Sequence, residues 1–338
     1  MRWAVLGAGH WGTALAAHLS RQGHTVRLWG RCRERLPGYM EAHSLSPHFP
    51  QVAIPAGLQS EPDLLAAVTG VDGVLLALPS QSLRAVLSAI PENLPSNMPW
   101  VLASKGLELP AALRLDQVVE QVRPAAKLVV LSGPSFAHDL ILGKPLAMTA
   151  ASADRLAAQA VVEAFASEQM RVYLSDDVAG VCLGGAIKNV LAIAAGISDG
   201  LEQGDSARAA LITRGIAELH RLGTALGGRT ETFMGLAGAG DLILTASSDL
   251  SRNRRVGLGL GRGQPLAEVL SAIGQEAEGV PAARALYQLA QRLGVEMPIT
   301  EQVYRVLFEG ADARLASAQL MRRAPRAEHG TTSPLGER

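Results

Sequence analysis

The sequence predicts an α/β protein in two parts, a doubly wound, largely parallel sheet followed by an all-helical region. Three observations support this. The chain has 338 residues, more than a typical single domain holds. Its first half alternates apolar runs of strand length with amphipathic stretches, the pattern of strands joined by crossover helices. From Asp176 onward the apolar periodicity is helical almost throughout.

Strands are expected at Trp3–Leu6, Thr25–Trp29, Val74–Leu78, Trp100–Ala103, Lys127–Leu131, Leu146–Ala150 and Arg171–Leu174. The amphipathic stretches Thr13–Arg21, Gln81–Ile90 and Ala111–Val122, and residues 152–168, are the expected first-half helices. In the second half, residues 184–198 read as one apolar helix. Asp205 or Ser206 caps the next, which runs to about Leu222. Further helices are expected at 266–273, 280–293 and 299–308. GLGLGRG, at 257–263, lacks the phosphate-loop spacing and its GK[ST] and reads as a turn. The boundary falls near 175, giving units 1–175 and 176–323 and a polar tail at 324–338, expected to be mobile.

Composition narrows the function. Hydrophobic residues make up 48% and charged residues 18%, enough for a core and inconsistent with wholesale disorder. A formal net charge of zero argues against a nucleic-acid binder relying on an overall basic field. Cys32 and Cys182 are too few for a disulfide framework and read as free thiols of a reducing compartment. MRWAVLGAGHWG has no signal-peptide layout, because a glycine-rich turn interrupts its apolar run. The best candidate for a membrane span, 184–198, is too short and carries Lys188 in its middle. A cytoplasmic protein is expected.

The strand Trp3–Leu6 runs into GAGHWGTALA, which places Gly7, Gly9 and Gly12 in GxGxxG spacing at the opening of a helix. The glycines allow a tight turn and a close approach of the backbone to a pyrophosphate, which the helix N-terminus then binds. A lone GxGxxG is weak; one that follows a strand, precedes a helix and opens an α/β region is much stronger. The second strand ends in Gly30, Arg31 and Arg33, where NAD-selective enzymes usually carry an acid. Arginine suits a 2′-phosphate, so NADP(H) is expected as cofactor, beside or in place of NAD(H). Further loops follow strand ends: Pro79-Ser80, Ser104-Lys105-Gly106 and SGPSFA at 132–137. Ligands of open α/β sheets bind at that edge, and Lys105 is a cation aimed at it.

Lys188 is the oddity of the helical half. On a helix it shares a face with Gly184, Leu191, Ala192 and Ala195, mostly small residues, and only Asn189 beside it is polar. A snorkelling lysine is the ordinary explanation, but more than ten apolar neighbours weaken it. Asp241 follows a glycine-rich turn. Ser251, Arg252 and Asn253 offer a hydroxyl, a guanidinium and an amide in succession, which suits a phosphate. The eight histidines form no HxxxH or comparable spacing, and no metal is expected.

Taken together, GAGHWGTALA, LWGR, ASKGLE, GPSFA, IKNVLAIAAGISDGL, LITRGIAE, GLAGAGDLILT, SDLSRNRRVG and the EGV at 278–280 resemble the bacterial-type NAD(P)-dependent glycerol-3-phosphate dehydrogenases, in the family's order and over residues 4 to about 310. The resemblance implies a Rossmann domain, a helical domain and an active site in the cleft between them. It implies reversible reduction of dihydroxyacetone phosphate to sn-glycerol 3-phosphate, which supplies glycerophospholipid synthesis. By motif position it makes Lys188 the catalytic proton donor. Lys105, Gly133, Ser135, Asp241, Ser251, Arg252 and Asn253 become substrate contacts. His10, Trp11, Arg31, Lys105, Ala137, Arg252 and Glu278 become cofactor contacts. His10 departs from the family's usual serine, Phe49 from a tyrosine and Glu276 from an apolar residue. The expected partner is a small phosphorylated substrate, and the sequence leaves a homodimer open. Burial in an apolar helix should lower the Lys188 pKa, and a nearby Asp241 should raise it.

Overall fold

The computed structural model describes residues 1–30, 45 and 48–324. Its central strands are runs buried on both faces, as a helix-covered parallel sheet requires. In β1 (Arg2–Leu6), Trp3 and Val5 join one apolar cluster while Ala4 and Leu6 join the cluster on the opposite face. The chain continues through α1 (His10–Arg21) to β2 (Thr25–Trp29), β3 (Leu58–Ser60), α2 (Leu64–Val68) and β4 (Gly73–Leu76). A short 3-10 turn, Ser80–Ser82, leads into α3 (Leu83–Ser88), β5 (Pro99–Leu102), the hairpin strands β6 (Leu107–Glu108) and β7 (Leu113–Arg114), and α4 (Leu115–Val122). Then come β8 (Lys127–Ser132), α5 (Ala137–Ile141), β9 (Leu146–Ala151), α6 (Arg155–Phe165) and β10 (Met170–Ser175).

The eight-stranded sheet has the order β10-β9-β8-β5-β4-β1-β2-β3. Its pairs are parallel except β8 with β9. The chain starts in the middle at β1, runs outward to β3, and returns to β4 on the other side of β1. That reversal is the topological switch point of a doubly wound fold, so the crevice for a ligand lies beyond the carboxyl ends of β1 and β4.

Two first-half expectations need correction. Residues 111–114 do not start a helix: Leu113 and Arg114 pair with Leu107 and Glu108, and α4 begins only at Leu115. The stretch 81–90 splits into the 3-10 turn and the shorter α3. Strand β3 was not expected, since its Gln59 and Ser60 break the apolar run.

The helical half opens with α7 (Val178–Gly200), whose N-terminus is capped by Asp177 accepting from the Gly180 N–H at 2.8 Å. It continues through α8 (Asp205–Ala225), α9 (Thr230–Met234), a π turn at Leu236–Gly240, α10 (Asp241–Ser247), α11 (Arg252–Gly261), α12 (Leu266–Ile273), α13 (Gly279–Leu293), α14 (Pro298–Phe308) and α15 (Ala313–Met321). Every residue of α7 from Gly180 to Ser198 is buried. The helix is longer than the expected 184–198, and by length and composition it could cross a bilayer; instead 89% of its most apolar window lies inside the protein, as in a core helix. The N-cap of α8 is Gly204, at φ +88°, and not Asp205 or Ser206; the Asp205 carboxylate pairs with Arg208 at 2.5 Å.

The segment 257–263 is also corrected. Gly257 to Gly261 continue α11 rather than forming a turn. A Cβ on Gly257 would overlap the Ile193 carbonyl, and one on Gly196 would overlap the Arg254 carbonyl. The glycines therefore cost helix propensity but let α11 lie backbone to backbone against α7. This contact brings the start of α11, with Arg252, toward the sheet.

Candidate active site between the sheet edge and the helical half

The dinucleotide turn has the shape its glycines predict. Gly7 stands at φ +121°, where a Cβ would strike the Ala77 carbonyl, and a Cβ on Gly12 would strike the Gly7 carbonyl. Among the described residues, nothing lies within 4 Å of where a Cβ of Gly9 would stand. Gly9 is the N-cap of α1, and the first turn carries no acid. An open backbone, first-turn N–H groups with no partner among the described residues, and the positive end of a helix dipole fit a cofactor diphosphate. His10 and Trp11 open the helix, and Trp11 packs half-buried on the sheet-face cluster. Arg31 and Arg33 lie outside the described residues, as does Cys32.

Three charged groups meet across the seam between the halves. Lys188 of α7 donates to Asp241 Oδ1 at 2.5 Å and to Thr245 Oγ1 at 2.9 Å. Lys105, from the loop after β5, donates to Asp241 Oδ2 at 2.6 Å and to the Gly133 carbonyl at 3.1 Å. One carboxylate thus bridges two ammonium groups, one from each half. Small residues make the approach possible. Gly184 lies against the Ala237 backbone, and a Cβ on Gly185 would stand 3.1 Å from Lys105 Cγ. The lysine stem crosses α7 where the helix is thinnest.

Asp241 has no exposed surface. Burial alone would push its carboxyl up, but Lys105 and Lys188 outweigh burial and hold it below the usual range. Lys188 is lowered to about 8: burial is the largest cause, Asp241 opposes it, and Lys105 adds to it. The opposed effects expected from the sequence act together on this group. Thr245 was not anticipated. Its hydroxyl donates to the Asp241 carbonyl at 2.6 Å, which leaves its oxygen turned to Lys188. The four-residue spacing from Asp241 on one helix face was the available signal.

A second group gathers beside the first. Arg252 is the exposed first residue of α11, and its charge acts on His10, His48 and Glu278. Glu278, just before α13, accepts from the Ser80 N–H at 3.5 Å and faces Gly106 next to Lys105. Burial raises its carboxyl to about 7, against the pull of Ser80 and Arg252. The flanking members of the expected trio are engaged within the protein. Ser251 caps α11 by accepting from the Arg254 N–H at 3.2 Å, and Asn253 accepts from the Gly279 N–H at 3.0 Å. Arg254 is not solvated: it pairs with Asp199 and Asp249. Ser135 donates to the Gly133 carbonyl at 3.1 Å, and Ala137 opens α5 beside it.

The arrangement can stabilise and protonate an oxyanion at Lys188, with cations nearby for a phosphate and a helix N-terminus for a dinucleotide. Comparison with known proteins agrees. The family profile described as NAD-dependent glycerol-3-phosphate dehydrogenase N-terminus matches residues 2–158, and the corresponding C-terminus profile matches 177–318. A glycerol-3-phosphate dehydrogenase [NAD(P)+] of Acidithiobacillus ferrooxidans is 72% identical over 97% of this chain and 95% of its own. One from Thioalkalivibrio sulfidiphilus is 52% identical over 96% and 98%. The crystal structure of glycerol-3-phosphate dehydrogenase from Coxiella burnetii superposes with a TM-score of 0.91 at 39% identity, covering 95% of this chain and 99% of that one. The turn, the buried lysine and these matches agree on one assignment: the chain belongs to the NAD(P)-dependent glycerol-3-phosphate dehydrogenase family of oxidoreductases.

Proposed function

We propose that this protein reduces dihydroxyacetone phosphate reversibly to sn-glycerol 3-phosphate in the cytoplasm, and so feeds glycerophospholipid synthesis. The observation that carries the reading is the Lys188–Asp241–Lys105 bridge at the seam. NAD(P)H supplies the hydride. Lys188 meets the substrate carbonyl oxygen, stabilises the developing negative charge and delivers the proton. Asp241 keeps Lys188 charged despite burial, and Thr245 fixes the direction of its N–H bonds. Lys105 and Arg252 anchor the phosphate, with Gly133, Ser135, Ser251 and Asn253 lining the same site. Gly7, Gly9, His10, Trp11, Gly12 and Ala137, together with Arg31, Lys105, Arg252 and Glu278, would hold the cofactor. Residues 1–175 and 176–323 act as two units whose seam is the active site.

The test is NADPH absorbance with dihydroxyacetone phosphate. Lys188→Met should lose roughly a hundred- to ten-thousand-fold or more in kcat while NADPH still binds. Turnover near the wild-type rate would remove Lys188 from the chemistry.

A further inference from the structure

Lys105 stands on a loop that both halves hold. On one side, Ser104 is fixed at the end of β5: its hydroxyl accepts from the Leu78 N–H at 2.9 Å, and its own N–H donates to the Leu76 carbonyl at 3.0 Å. On the other side, the chain passes through Gly106 into the hairpin β6–β7. The apolar side of that hairpin belongs to the helical half: Leu107 and Ala112 are buried in its core cluster, and Leu109 packs against it. The polar side is held by the sheet half. Gln81, in the 3-10 turn, donates from Nε2 to the Leu107 carbonyl at 2.8 Å and accepts at Oε1 from the Leu109 N–H at 3.0 Å. Its amide thus pairs with β6 as the peptide of a neighbouring strand would. Arg84, at the start of α3, grips Glu108 through two bonds at 2.8 and 2.7 Å.

We propose that Gln81 is a positioning residue for Lys105: by holding the start of the hairpin, it keeps the ammonium group seated on Asp241. This rests on the reading of Lys105 as a phosphate anchor and Lys188 as the proton donor. The two acceptors of Lys105 come from different halves, Asp241 at 2.6 Å and the Gly133 carbonyl at 3.1 Å. The seat of the ammonium group therefore depends on where the loop backbone lies between them. Gly106 does not fix that backbone. It stands at φ +132°, a conformation glycine adopts freely, and a Cβ there would stand 3.1 Å from Ser80 Cβ. The tether comes from the next residue, Leu107, whose carbonyl Gln81 holds. Gln81 itself is exposed, so removing its amide leaves the apolar anchoring of Leu107 and Ala112 and the Arg84–Glu108 pair in place.

Loosening Lys105 has a signature opposite to that of losing Asp241. The charges facing Lys188 are Asp241 from α10, Lys105 from the loop and Glu278 from before α13. Burial is the main cause that lowers Lys188, Asp241 opposes it, and Lys105 adds to it. An ammonium group that drifts away from Asp241 thus lets the Lys188 pKa rise. Gln81→Met keeps the length of the side chain and removes both hydrogen bonds to the hairpin. In steady-state reduction of dihydroxyacetone phosphate, its KM should rise about three- to tenfold. The falling limb of its kcat/KM profile should move to higher pH by about half a unit. Gln81→Ala replaces Gln81→Met if the latter fails to give the wild-type circular dichroism. A raised KM with the limb unmoved would mark a merely structural role and overturn the proposal. So would a limb displaced to lower pH, or no change in either quantity. A wild type without a falling limb would overturn the reading of Lys188 and this proposal with it.

Discussion

Two carboxylates of the helical half, Asp241 and Glu218, are equally hidden, at 0% and 1% exposure, yet they behave in opposite ways. Asp241 faces two ammonium groups and is held below the usual carboxylate range. Glu218, in α8, faces the start of α14: it accepts from the N–H groups of Ile299 and Thr300 and from the Thr300 hydroxyl, the last at 2.9 Å. There burial outweighs the donors and raises it to about 7. Hydrogen-bond donors and a helix dipole hold a carboxylate in place, whereas full cations keep it charged. Only the arrangement with full cations, at Asp241, also fixes where a mobile proton sits. Burial alone therefore does not mark a catalytic acid; the partners do.

Breaking the first arrangement should have the larger effect. Asp241→Asn leaves Lys188 and Lys105 without their shared anion, so the Lys188 pKa should drop further below about 8. Turnover of dihydroxyacetone phosphate should fall by about a hundredfold or more, with cofactor affinity largely retained. Steady-state kinetics beside NADPH fluorescence titration would separate the two. Breaking the second arrangement should touch stability and spare chemistry. Glu218→Ala leaves buried N–H groups at the start of α14 unpaired, at a cost of about 2 kcal/mol in a denaturant melt. Glu218→Gln keeps an acceptor and should lose less, and kcat should match the wild type in both.

The smallest effect is on the pH dependence of folding. Glu218 has a raised pKa in the folded state, so its contribution is present below the unfolded value of 4.5 and is lost as pH rises through about 7. Asp241 has a lowered pKa, so its contribution is present above the unfolded value of 3.8 and is lost as pH falls below it. Melting midpoints of Glu218→Gln should therefore decline less than those of the wild type between about pH 5 and about pH 7.5. Parallel slopes would remove Glu218 from the account.

How much of this was legible in the sequence depended on how local the signal was. The strands were readable because both faces are buried, so apolar residues run on without alternation, as in β4, where all four residues are hidden. The GxGxxG turn and the lysine in its apolar helix were readable for the same reason: each is an anomaly within a few residues. β3 escaped because pairing with β2 needs only three residues, two of them polar. GLGLGRG was misread because Gly257 and Gly261 answer to Gly196 and Gly200, some sixty residues earlier, and no local rule records that match. Gln81 carried no functional signal, since only the fold brings it to Leu107 and Leu109. Arg31, the residue read for the 2′-phosphate, lies outside the described residues.

The central claim is that Lys188, set to about 8 by burial, Asp241 and Lys105, delivers the proton to the substrate oxygen. Its most direct test is kcat/KM for dihydroxyacetone phosphate reduction against pH, in the wild type and in Asp241→Asn. The wild type should lose activity as pH rises through about 8, where the lysine gives up its proton, and the falling limb should move to lower pH in the variant. A limb at the same pH in both proteins, or none in the wild type, would contradict the account.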